Sequence, residues 1–71
     1  MKEIAERIAT KVESIYTGLV AVHNLLVFEI EKAITYDYTV VSVYEAIDRI
    51  YPLGNMPTLY LINIIAREMS L

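Results

Sequence analysis

The chain contains no cysteine and only one histidine, His23. The absence of cysteine excludes disulfide bonds and thiolate metal sites, and one histidine cannot form a histidine cluster around a metal ion. A domain of 71 residues has a marginal hydrophobic core, and small domains commonly add a disulfide, a metal or a partner subunit. Because the first two are excluded, the sequence predicts association with other copies of the chain.

Tryptophan and glutamine are also absent, and acidic residues outnumber basic ones, nine against six. The net charge of −3 argues against broad contact with nucleic acid or with an anionic membrane. A shortage of thermolabile residues favours a thermophilic source, and the lack of cysteine favours a cytoplasmic location. The mixed charges of residues 1–7 do not resemble a signal peptide.

Two stretches, 14–28 and 50–66, contain no Asp, Glu, Lys or Arg. The first is long enough for only about 22 Å of helix, whereas a bilayer core requires roughly 20 apolar residues. The second contains Pro52, Gly54 and Pro57, which interrupt a helix. The sequence therefore predicts no transmembrane span.

Apolar residues in the first half of the chain recur at alternating spacings of three and four, which is typical of a helix seam. The seam comprises Ala5, Ile8, Val12, Ile15, Leu19, Val22 and Leu26. It predicts one long helix over about residues 2–34. Between Leu19 and Phe28 this helix is apolar nearly all round, which predicts that most of its sides are covered.

Two shorter helices are predicted over about residues 39–51 and 57–69. Asp37 or Thr39 is suited to cap the first of them, although residues 35–41 are also compatible with a turn or a short strand. The predicted fold class is all-α. One domain, 1–71, has a long N-terminal helix followed by a shorter two-helix hairpin, and homo-oligomerisation completes the helical bundle.

Self-association is predicted from the distribution of apolar residues. The long helix and the last helix have more apolar circumference than one neighbour covers, and a helix of about 50 Å overhangs helices half its length. A two-fold dimer is the simplest source of the missing cover. The predicted interface comprises Ile8, Val12, Ile15, Leu19, Val22, Leu26, Ile62 and Ile65.

The chain has six tyrosines, a residue favoured at interfaces because its ring buries area while its hydroxyl finds a hydrogen-bond partner. Tyr44 and Tyr51 share a helix face, and Tyr36 and Tyr38 alternate in the connection before it. These four residues are predicted to form a surface for an unidentified protein partner.

Residues with catalytic potential are few. His23 is the one candidate general base at neutral pH, but no Ser or Cys nucleophile lies beside it at helical spacing. Glu29 continues the seam, and its solvation beside Lys32 is favoured over a role in pairing register. Gly18 and Gly54 stand alone, so no phosphate-binding loop is present. The sequence predicts no enzyme, and no catalytic, cofactor or metal site.

The leading hypothesis is a small non-enzymatic oligomerisation or adaptor protein that acts through protein–protein contacts. One alternative is a helix-turn-helix-like DNA-binding regulator that uses the C-terminal hairpin, with Thr58, Asn63 and Arg67 available for contacts. A second alternative is a subunit of a larger hetero-assembly that covers the apolar surface.

Overall fold

A computed structural model describes residues 1–54 and 58–70. Within these residues the chain is helical and contains no strand, so the predicted all-α class is confirmed. The four α-helices are α1 (Lys2–Ile15), α2 (His23–Tyr36), α3 (Val40–Ile50) and α4 (Thr58–Met69), and a 3₁₀ helix, Thr17–Val22, joins α1 to α2.

The four helices form an up-and-down bundle. Helices α1 and α3 each contact both α2 and α4. Glu13 near the end of α1 contacts His23 at the start of α2, so these two helices are antiparallel. The Tyr38 hydroxyl, just before α3, donates a hydrogen bond of 2.7 Å to the carbonyl oxygen of Met69 at the end of α4. The start of α3 and the end of α4 therefore lie at the same end of the bundle.

All four helices contribute to one hydrophobic core. Its buried residues are Ala5, Ile8, Ala9, Val12, Tyr16, Leu19, Leu26, Val27, Ile30, Ala33, Ile34, Val43, Ala46, Ile47, Leu53, Leu61, Ile65 and Met69. The accessible surface of 4329 Å² is close to the roughly 4,500 Å² that size scaling gives for a folded monomer of this mass. A single chain therefore already buries as much surface as a small globular protein normally does.

The predicted long helix over residues 2–34 is wrong. Helix α1 ends at Ile15, and Tyr16 leaves the helical region with φ −115° and ψ 83°. The segment that follows has a weak preference for α-helix, because Thr17, Val20 and Val22 are β-branched and Gly18 has a low helix propensity. The 3₁₀ helix reverses the chain, and α1 buries its apolar seam against α2 of the same chain.

This reversal removes the overhang on which the predicted dimer partly depended. Helices α1 and α2 have 14 residues each and are about 21 Å long, which suits α3 with 11 residues and α4 with 12. The lengths of the helices no longer call for a second copy, so any such copy must be argued from the surface.

The two later helices begin and end close to the predicted positions. Thr39 caps α3, because its Oγ1 accepts a hydrogen bond of 3.1 Å from the backbone N–H of Ser42. Residues 37–39 form the connection, and the alternative of a short strand is not found there. The predicted helix start at Pro57 lies outside the described residues. In the turn after α3, Gly54 has φ +61°, a conformation that glycine adopts without steric cost.

Candidate interaction surface

Helix α2 is apolar on two opposite sides. Its inner side buries Leu26 and Ile30 completely. On the other side Leu25, Phe28 and Tyr36 are 49%, 57% and 79% exposed. With Lys32, these three follow spacings of three and four, so they form one stripe along the helix. We call Leu25, Phe28, Lys32 and Tyr36 the outer face of α2.

The apolar surface continues from α2 into the 3₁₀ helix. Val20 and Val22 are exposed there, whereas Leu19 points into the core. Residues 20–25, which include the polar His23 and Asn24, line a surface depression of about 400 Å³. Single exposed apolar residues are common on proteins, whereas several that follow one another along a surface favour a site of interaction.

One charged side chain of the outer face, Lys32, is paired with a neighbouring carboxylate. The Nζ atom of Lys32 is 3.4 Å from a carboxylate oxygen of Glu29 and 5.4 Å from the centroid of the Phe28 ring. The other Glu29 oxygen is 3.6 Å from Arg49 of α3. Glu29 lies beside Lys32 as expected, but it is not fully solvated: its side chain is only 18% exposed and also lies near Arg49.

The outward side of α1 is polar instead. Arg7 Nε donates a hydrogen bond of 2.9 Å to Glu68 of α4, and Lys11 pairs with the second oxygen of the same carboxylate. The hydrogen bonds from Lys11 and Arg7 hold the pKa of the Glu68 carboxyl below its ordinary value of 4.5. These ion pairs connect α1 to α4, so this side of α1 already has its contacts within the chain.

His23 is part of the connection between α1 and α2. Its Nδ1 atom is 2.5 Å from a carboxylate oxygen of Glu13, across the chain reversal. The His23 side chain therefore links the end of α1 to the start of α2. Among the described residues, no group of three His, Asp or Glu side chains is placed to hold a metal ion.

The eight residues predicted as an oligomer interface do not form a surface. Five of them, Ile8, Val12, Leu19, Leu26 and Ile65, are buried in the core of the single chain. Ile15 and Ile62 are half-buried, and Val22 is exposed. Contact of these residues with a second copy stays untested, but the folded chain presents none of the five buried residues at its surface.

The four predicted tyrosines lie before, within and after α3. Tyr36 and Tyr38 precede it, Tyr44 lies within it and packs half-buried against the core, and Tyr51 follows it. Tyr51 packs against the buried Tyr16, with ring centroids 5.4 Å apart. Burial raises the pKa of the Tyr16 phenol, and the nearby Tyr44 and Tyr51 raise that pKa further. Only Tyr36 therefore belongs to the outer face of α2, and the role of Tyr16 was not predicted.

Leu25 and Phe28 are the surface residues that the sequence analysis did not single out. A signal for them was present, because residues 19–28 are apolar nearly all round. That pattern was attributed to cover by other helices. In the structure α2 contacts α1 and α3, and these two neighbours leave the outer face of α2 exposed.

Within the part of the chain that the structure describes, no helix has the length and apolar character needed to cross a bilayer. No protein-family model, curated protein or solved structure matches the chain. The surface features described above, and the outer face of α2 in particular, are therefore the guide to its function.

Proposed function

We propose that the protein is a non-enzymatic helical oligomerisation or adaptor protein that acts through protein–protein contacts, with the outer face of α2 as its contact surface. The observation that carries the proposal is the exposure of Leu25, Phe28 and Tyr36, which are 49%, 57% and 79% exposed along one helix face. Two of these three are aromatic, the residue class that supplies much of the binding energy at interfaces.

The fold itself does not need these side chains to be apolar. The other side of α2 already buries Leu26, Ile30 and Ile34 in the core. Removing apolar surface from water is worth roughly 25 cal/mol per Å². A partner that covers the outer face would therefore stabilise the complex relative to the isolated chain. A polar outer face, such as that of α1, would serve an isolated protein equally well.

The DNA-binding alternative has less support from the surface charges. Arg7 and Lys11 pair with Glu68, and Arg49 pairs with Glu29. Affinity for nucleic acid depends mainly on cations that neutralise phosphates, and these three are already close to carboxylates. We therefore favour protein–protein contact over DNA binding.

The test compares the native mass of three proteins by light scattering coupled to size-exclusion chromatography, over a range of concentrations. The wild-type chain is expected to exceed its monomer mass of 8.1 kDa as concentration rises. The double variant Leu25→Ser/Phe28→Ser is expected to remain a monomer, because it removes the apolar centre of the contact surface.

The matched control is Leu59→Ser. Leu59 is 78% exposed and belongs to α4, which makes no contact with α2 among the described residues, so this variant should associate as the wild type does. A wild-type mass of 8.1 kDa at every concentration would contradict the oligomerisation proposal. A double variant that keeps the wild-type mass would contradict the choice of surface.

A further inference from the structure

We infer that Tyr38 fastens the C-terminal end of α4 to the rest of the bundle, and that α4 opens as a unit, with α1, α2 and α3 still packed, when this contact is released. We call the hydrogen bond between the Tyr38 hydroxyl and the Met69 carbonyl the latch. Two observations carry the inference: the backbone conformation of Tyr38 and the contacts that meet at the last turn of α4.

Tyr38 has a backbone conformation that tyrosine rarely adopts. Its φ is +52°, in the left-handed region, where a bulky side chain is sterically unfavourable and glycine is not. The residue follows the end of α2, and its N–H donates a hydrogen bond of 3.2 Å to the carbonyl of Ala33. Helices commonly end with a glycine in this conformation. A tyrosine here costs backbone free energy, and an outlier of this kind points to a use for the side chain.

The side chain of Tyr38 reaches the end of α4. Its hydroxyl donates a hydrogen bond of 2.7 Å to the carbonyl oxygen of Met69, and the carbonyls in the last turn of a helix have no partner within the helix. The Met69 side chain is itself buried, at 1% exposed. The neighbouring Glu68 pairs with Arg7 and Lys11 of α1. Two consecutive residues of α4 are thus held by the connection before α3, by the core and by α1.

Helix α4 is fastened by polar contacts at this end. Among the described residues, every side-chain hydrogen bond to α4 is made at Glu68 or Met69. Its buried side chains are Leu61, Ile65 and Met69, one in each turn, whereas α2 buries five. Helix α3 also buries three, but it packs against α2.

The other three helices keep their mutual contacts when α4 leaves. In the described part of the chain α4 contacts α1 and α3 but not α2, and α2 contacts both α1 and α3. Segments with few buried contacts open at a lower free energy than the whole protein. Opening of α4 therefore uncovers the inner sides of α1 and α3 without separating either of them from α2.

Native-state hydrogen exchange, followed by NMR at several urea concentrations below the unfolding transition, tests this arrangement in the full chain. In the wild type the amides of residues 65–69 should exchange through an opening that depends weakly on urea, because urea dependence scales with the surface that is exposed. The amides of residues 29–33 in α2 should exchange more slowly and with a stronger urea dependence.

Tyr38→Phe removes the hydroxyl and keeps the ring. It should speed the exchange of residues 65–69 by about fivefold, which is the change in an opening equilibrium that one hydrogen bond typically produces. The matched control is Tyr60→Phe, because Tyr60 lies in the same helix and is 58% exposed. The control should exchange at the wild-type rate in these residues.

Tyr38→Gly separates the side chain from the backbone. Glycine removes the steric cost of the φ of +52°, so without a latch it should leave the exchange of residues 65–69 unchanged or make it slower. With the latch, Tyr38→Gly should exchange faster than the wild type at these residues, as Tyr38→Phe does.

Two results would overturn the inference. If residues 65–69 of the wild type share the rate and the urea dependence of residues 29–33, α4 opens only when the whole protein unfolds. If Tyr38→Phe exchanges at the wild-type rate in residues 65–69, the Tyr38 hydroxyl does not hold the end of α4.

Discussion

Helices α1 and α2 have the same length, 14 residues each, and pack against each other in the same core, but their outward sides differ. The outward side of α1 has Arg7 and Lys11, which pair with Glu68. The outward side of α2 has Leu25, Phe28 and Tyr36 exposed. Burial in the core explains why the inner side of each helix is apolar. The outward side of α1 is polar, whereas the outward side of α2 is largely apolar.

The comparison of the two helices distinguishes apolar residues that the fold requires from apolar residues that it merely tolerates. The inner sides of both helices are apolar because a core must be filled. The outer side of α1 is used within the chain, through its ion pairs with α4. The outer face of α2 has no such use within the chain, and a partner is the use that its composition favours.

The largest change in unfolding free energy is expected from a substitution on the inner side of α2, and the matching substitution on its outer face should change it little. Ile30 is fully buried, and Ile30→Ala should lower the free energy of unfolding by about 2–5 kcal/mol, because it removes packing and leaves a cavity. Phe28→Ala should change the unfolding free energy of the monomer by less than about 0.5 kcal/mol, since surface substitutions rarely do more. Urea denaturation followed by circular dichroism measures both.

The measurement must be made at a concentration at which the wild type is a monomer, because a partner stabilises the folded state. At higher concentration Phe28→Ala should lose the additional stability that association gives the wild type. A loss of several kcal/mol for Phe28→Ala in the monomer would show that Phe28 belongs to the fold, and the contrast between the two sides of α2 would disappear.

A smaller effect is expected on the outward side of α1. Glu68→Gln removes the carboxylate shared by Lys11 and Arg7, and at neutral pH it should cost about 0.2–1 kcal/mol, because both cations are substantially exposed. The pKa of Glu68 is lowered on folding, mainly by its hydrogen bond to Lys11. Its contribution is therefore complete above the unfolded pKa of about 4.5 and is lost as pH falls through the lower, folded pKa.

The pH dependence provides the check. The difference in unfolding free energy between wild type and Glu68→Gln should be constant near neutral pH and should shrink below pH 4.5. High salt should also reduce it, since exposed charges are screened. No difference at neutral pH, or a difference that does not change with pH, would mean that the ion pairs between α1 and α4 do not form in solution.

The helical class and the two later helices follow from the sequence because their signals are local. Thr39 caps α3, as its side-chain type permits, and the apolar spacing after it is regular. The reversal at Tyr16 was missed because the heptad spacing continues through it, from Val12 to Leu26. Periodicity does not distinguish a straight helix from two helices that fold together and bury the same seam.

The candidate site was harder to predict for a related reason. The sequence indicates which residues are apolar but not which of two apolar sides of one helix faces the core. In α2 the buried Leu26 and the exposed Leu25 are adjacent, and tertiary packing alone separates them. The tyrosines were grouped by residue type, whereas the fold places Tyr36 and Tyr51 on opposite sides of α3 in the chain order.

The most direct test of the contact surface uses a single tryptophan, since the chain has none. Phe28→Trp places the reporter on the outer face of α2, and Thr10→Trp places it on the exposed side of α1. As concentration rises, fluorescence of Phe28→Trp should move to shorter wavelength as the ring leaves water, while that of Thr10→Trp should stay unchanged. If the Phe28→Trp emission stays that of an exposed indole at every concentration, the outer face of α2 does not bind a second copy.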